Sequence, residues 1–148
     1  MSENLIREAL QASVNEVLEK MFFVETLGES LRPTEDPNDG EIGVALTFQG
    51  MPSGSFLLRV TPRAARQIAA DFLGIDEAEV SDVQTSEVVR ELANMICGSV
   101  LSRVESSAVF QLAAPRIVPP SEEIAGNLSN TRYCVQLSNG RLSVEMGT

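Results

Sequence analysis

The run Ser81–Ser106, SDVQTSEVVRELANMICGSVLSRVES, decides how this 148-residue chain is read. Ser81 followed by Gln84 matches a capping box, in which hydroxyl and carboxamide each serve a backbone group that the first helical turn leaves unpaired. No proline and a single glycine occur in the run, so a helix of about 25 residues is expected. At about 100° per residue, Val88, Val89, Leu92, Met95, Ile96 and Val100 fall on one continuous face. Glu87, Glu91, Asn94, Gly98 and Glu105 line the opposite one, with Glu91 and Asn94 surface neighbours pointing outward. Such a stripe is ordinarily a solvated face. Two residues fit that poorly: Gly98 costs a helix interior about 0.8–1 kcal/mol relative to Ala, and Asn94 is an indifferent helix former where Lys or Gln would serve solvent better. A partner docking against the strip accounts for both.

On the N-terminal side, Ile6, Leu10, Val14, Val17, Leu18, Met21 and Phe22 recur at helical spacing, which predicts an amphipathic helix from Glu3 to about Val24. Residues 28–40, GESLRPTEDPNDG, combine acids, prolines and glycines and read as a mobile acidic loop. Glu41–Gln49 and Ser55–Thr61, separated by GMPSG, read as a β-hairpin. Thr61-Pro62 starts a second helix, its hydroxyl placed to cap, and Gly74 ends it. Beyond the long helix, Val109–Val118 reads as a strand in which Pro115 marks an edge, a bulge or an end. Tyr133–Leu137 and Arg141–Met146 flank Ser-Asn-Gly and form the strongest hairpin signal, with Asn139-Gly140 at the turn. The order predicts one α+β domain over residues 1–148, a largely antiparallel sheet with two long helices packed on it.

Composition narrows the chemistry. The chain has no histidine, which removes Ser-His-Asp and Cys-His nucleophile systems, imidazole general bases and His-containing metal sites. A net charge of −10 disfavours a nucleic-acid partner. Cys97 and Cys134 form no C-x-x-C unit and read as buried, reduced thiols, which with a charged N-terminus and no long apolar run points to a cytoplasmic protein without membrane insertion.

The segment Glu91–Gly98, ELANMICG, resembles the signature of the CheC/CheX/FliY group of chemotaxis phosphatases: Asp or Ser, three residues, Glu, two residues, Asn, and a proline some twenty residues on. Glu91 and Asn94 match the Glu and Asn, and Pro115 the proline; Glu87 stands where the group has Asp or Ser, and Arg90 where a small residue is common. The first helix does not repeat Glu-x-x-Asn, so the chain is similar to the single-site CheX type. That resemblance implies hydrolysis of the aspartyl phosphate of a phosphorylated CheY-like receiver domain. Asn94 would orient the hydrolytic water and Glu91 would pair with the receiver's lysine, while Glu87 and Gly98 would contact the partner. The chain would need no cofactor of its own, because Mg2+ is expected on the receiver. The resemblance also implies a homodimer, with the strands near the C-terminus able to supply a strand-mediated contact. The alternative is an adaptor that binds a receiver or a flagellar-switch-type partner without hydrolysis.

Overall fold

The computed structural model describes residues 2–30, 40–124 and 130–148. Helix α1 (Glu3–Glu16) is capped by the Ser2 hydroxyl and runs into a π-helical turn, Val17–Met21. The sequence predicts one regular helix to Val24; the wider turn instead lets Leu18, Phe22 and Val24 all reach the core, with Phe22 stacked on Phe72 at 4.5 Å. Strands β1 (Ile42–Gln49) and β2 (Gly54–Val60) form the first hairpin, and α2 (Pro62–Leu73) follows, ended by Gly74 in the left-handed region at φ 70°. A 3-10 turn, Glu77–Glu79, leads to α3 (Asp82–Val104), whose capping box is formed on both sides, Ser81 Oγ accepting from the Gln84 amide at 3.0 Å and Gln84 Oε1 from the Ser81 amide at 2.9 Å.

The rest of the chain completes the sheet: β3 (Gln111–Leu112), β4 (Arg116–Val118), β5 (Asn130–Leu137) and β6 (Gly140–Gly147). Every pairing is antiparallel, in the order β3-β1-β2-β6-β5, with β4 also on β1. Alternate residues of each long strand, among them Val44, Leu46, Phe56, Leu58, Val135 and Val144, face the core that the three helices cover. This is the α+β architecture expected from the order of elements. After β4, residues 119–124 pass over the sheet's other face, where Arg59 donates to the Pro120 carbonyl at 3.0 Å and to the Glu122 carbonyl.

Local expectations failed where distant contacts intervene. Thr61 precedes α2 as expected, but its hydroxyl does not cap the helix; it accepts from the Arg141 amide at 3.2 Å. Gly140 lies in the ladder opposite Leu137, so the turn itself is Ser138-Asn139 rather than Asn139-Gly140. Gly140 is needed for another reason: it has φ 149°, and a Cβ there would overlap the Thr61 hydroxyl. Residues 28–30, read as the start of a loop, cover the outer edge of β5: the Gln136 amide donates to Gly28 O at 2.9 Å and the Ser30 amide to Cys134 O at 2.8 Å. The Leu27 amide and an Arg7 guanidinium take up the Gln136 and Arg132 carbonyls, each at 2.8 Å. Of the acidic loop, residues 31–39 lie outside the described residues. Among those described, no helix is long and apolar enough to cross a membrane.

Both thiols are buried and free. Burial pushes Cys97 up from 9.0 to about 12, and it is also the main cause raising Cys134. Thiols that keep their protons longer when folded leave stability unaffected below pH 9 and erode it above. For Cys97 the slope approaches about 1.4 kcal/mol per pH unit. Urea melts are therefore expected to coincide at pH 7 and 8 and to move to lower midpoints by pH 10. A thiol-specific dye at pH 8 should react with the unfolded chain and not with the folded one; rapid labelling of the folded protein would contradict the packing.

Candidate functional site

Helix α3 is enclosed on three sides. Thr85, Val88, Val89, Leu92, Ala93, Ile96, Cys97, Val100 and Leu101 are all buried, an arc wider than the six residues the wheel assigns to the core. Cys97 and Leu101 extend it, whereas Met95 sits half-buried at its border. The reason is the number of neighbours: α3 packs on α1, on α2 and on the sheet at once. Against α1 the contact is partly polar, with Ser99 donating to Ser13 at 2.9 Å and Arg103 paired with Glu16. What remains outside is a narrow strip.

Glu87, Arg90, Glu91 and Asn94 on that strip, with Ala114 and Pro115 opposite, line an open cleft of about 250 Å³. The facing wall has a specific origin. Between Leu112, which pairs with Phe48, and Arg116, which pairs with Ala45, three residues of the chain oppose two of β1. One residue is in excess, and Pro115, lacking an amide donor, lies in the resulting break between β3 and β4. The single strand expected over Val109–Val118 is thus two short ones with a bulge between them, and that bulge supplies the side of the cleft facing α3. Here Pro115 meets Asn94, twenty-one positions earlier in the sequence.

Four residues singled out by the sequence therefore share one place: Glu87, Glu91, Asn94 and Pro115. Glu87 and Glu91 are exposed and Asn94 is half-buried. Among the described residues none of these three side chains has a hydrogen bond or ion pair, so their polar groups face outward uncommitted. Gly98 lies one turn beyond Asn94 and outside the cleft; a Cβ there would meet nothing within 4 Å, so the fold itself does not require glycine at this position. Glu105 is not part of the strip: it caps α3 with a non-helical backbone, and its carboxylate accepts from Ser107 at 2.9 Å. Arg90, singled out in the sequence only as a departure, lines the cleft and was missed as a site residue. Among the described residues no three His, Cys, Asp or Glu are grouped to hold a metal ion. An amide with one donor and one acceptor face beside a carboxylate can order a water and pair with a cation.

The family model described as chemotaxis phosphatase CheX matches residues 42–138, which reach from β1 through the end of β5. No curated protein matches the chain. Among solved structures, chemotaxis protein CheX from Desulfovibrio desulfuricans is similar at a TM-score of 0.77 and 19% identity, covering 96% of this chain and 97% of that one. CheX from Vibrio vulnificus gives 0.78 and 19%, covering 99% and 97%. The CheX-CheY-BeF3-Mg2+ complex from Borrelia burgdorferi gives 0.68 and 20%, covering 95% of each chain. At these identities the likeness is one of fold.

Because no described residue depends on the Asn94 or Glu91 side chains, Asn94→Ala and Glu91→Ala are each expected to change stability by less than about 0.5 kcal/mol. Thermal melts of both variants should overlay that of the parent chain; a large loss would mean that these side chains hold the fold together.

Proposed function

Because this chain belongs to the family of the chemotaxis phosphatase CheX, we propose that it hydrolyses the aspartyl phosphate of a CheY-like receiver domain. The observation that carries this reading is the meeting of Glu87, Glu91, Asn94 and Pro115 in one open cleft with no internal use for their polar groups. An acyl phosphate is already activated, and a receiver contributes the Mg2+ and the lysine that neutralise its phosphoryl oxygens. What such a reaction lacks is an ordered nucleophile. The Asn94 carboxamide accepts a hydrogen bond from a water and holds it in line with phosphorus. As the water oxygen bonds to phosphorus, the bond from phosphorus to the carboxylate oxygen breaks. The receiver regains its aspartate, inorganic phosphate leaves, and the surplus proton passes to solvent.

Glu91 pairs with the receiver's lysine and sets the register in which Asn94 arrives. Glu87 flanks this contact, and Gly98 leaves room for the partner's surface farther along α3. No step uses an imidazole, in keeping with a chain that has none. Ordering one water is worth about 1.4–4 kcal/mol, so Asn94→Ala is expected to slow dephosphorylation of a CheY-type receiver by one to three decades. The check is the lifetime of a receiver phosphorylated with a small acyl phosphate, with and without the protein. Full activity in both Asn94→Ala and Glu91→Ala would sink the assignment, and binding with an unchanged lifetime would select the adaptor reading.

We propose further that the chain forms a homodimer through the one sheet edge that, among the described residues, has no strand partner. The outer edge of β5 is taken by residues 27–30 and Arg7, whereas among the described residues nothing pairs with the outer side of β3 and β4, where Ile117 is exposed. Light scattering at micromolar concentration should return twice the 16.0 kDa chain mass, and Ile117→Asp should halve it.

A further inference from the structure

We infer that Arg90 is the specificity-determining residue of this cleft, the cation that admits an anionic partner to an otherwise acidic surface. The inference rests on the receiver-directed reading above. The cleft's lining contains two carboxylates, Glu87 and Glu91, and one cation, Arg90. A phosphorylated receiver meets that lining with phosphoryl oxygens and with the carboxylates that hold its Mg2+, negative charge that the Mg2+ and the lysine offset only in part, and it approaches a chain whose own net charge is −10. Without Arg90 the approach is opposed both at short range and by the protein's overall field.

The structure gives Arg90 no other work. Six arginines, Arg7, Arg59, Arg66, Arg103, Arg116 and Arg132, are engaged in ion pairs. Arg90 is exposed and, among the described residues, has no ion pair or hydrogen bond, although Glu87 lies three positions before it and Glu91 directly after. It stands four residues before Asn94, one helical turn away on the same side of α3, so its guanidinium and the Asn94 carboxamide open onto the same space. A planar guanidinium offers paired donors to carboxylate or phosphoryl oxygens, whereas an ammonium offers a point charge. Arg90 is thus a docking group, and Asn94 remains the residue that touches the reacting water.

The test uses the whole chain and a CheY-type receiver activated with beryllofluoride for binding, or phosphorylated for turnover. Arg90→Ala is expected to weaken binding about three- to tenfold at low ionic strength, and Arg90→Glu more than tenfold. Arg90→Lys, which keeps the charge and loses the paired donors, should fall between the parent chain and Arg90→Ala. The Arg90→Ala deficit should shrink below about twofold near 0.5 M salt, where screening shortens the reach of charge. In turnover the loss should fall mainly on KM, with the rate at saturating phosphorylated receiver lowered much less than by Asn94→Ala. A merely structural role would lower the melting temperature and would show no such dependence on salt. Unchanged binding in Arg90→Ala and Arg90→Glu, with the parent chain active, overturns this inference alone. Weakened binding of these variants to a receiver that the parent chain binds without dephosphorylating supports it while removing the hydrolase reading. A parent chain that neither binds nor accelerates overturns both.

Discussion

The burial of α3 on three sides is the constraint from which the rest follows. Val89, Leu92, Ile96, Cys97 and Val100 have no exposed surface, and together with the buried Val88, Ala93 and Leu101 they point toward α1, α2 and the sheet over more than half the helix circumference. Each large apolar side chain so enclosed contributes about 1.5–3 kcal/mol relative to exposure. Turning the helix by even one residue position would bring some of them into water and drive Glu87 or Glu91 inward. The outward strip is therefore not placed by anything it does itself. Its direction is dictated by apolar neighbours that never meet a partner, which is why its polar groups can stay uncommitted without loss of order.

A rigid strip alone does not make a cleft. The second wall comes from a defect in the sheet, the extra residue between β3 and β4, and Pro115 fits in that break because no ladder there calls for its amide. Helix and bulge are far apart in chemistry as well as in sequence: one is held by side-chain burial, the other by backbone pairing to β1 on either side of the break. Together they present a carboxamide, two carboxylates and a guanidinium around a space of about 250 Å³. No group there has to change its protonation state for the proposed reaction. An acyl phosphate needs little more than a positioned nucleophile, and a chain without histidine can supply that.

Much of this was legible in the sequence because it is local. The Ser81/Gln84 box, the helical spacing of α3 and of α1 as far as Glu16, the stop at Gly74 and the strand pairs of both hairpins are decided within a few residues, and each stands where it was expected. The candidate site was legible for the same reason, since Glu87, Glu91 and Asn94 share a face of one helix. What escaped is non-local. Nothing near Cys97 or Leu101 announces that α3 has neighbours on three sides. The Thr61 hydroxyl turns to Arg141 because β6 lies beside it, and Gly140 is required by that same approach rather than by its turn. After α1 the chain takes a π-turn and Phe22 stacks on Phe72, fifty positions later, a contact that no local pattern announces. Arg90 was legible as an oddity, but its standing in the cleft depends on which partners the fold withholds from it.

The cover on β5 bears on how the chain is made. Residues 27–30 and Arg7 precede β5 by about a hundred positions, so both leave the ribosome well before the strand whose outer edge they occupy. The inner partner is provided for in a similar way, since β6 enters between β5 and β2, a strand that ends eighty positions before β6 begins. Neither flank of the final hairpin has to wait for material not yet translated. An unpaired strand edge recruits other chains most readily while it waits. For this hairpin the order of synthesis shortens that wait to the time it takes to dock.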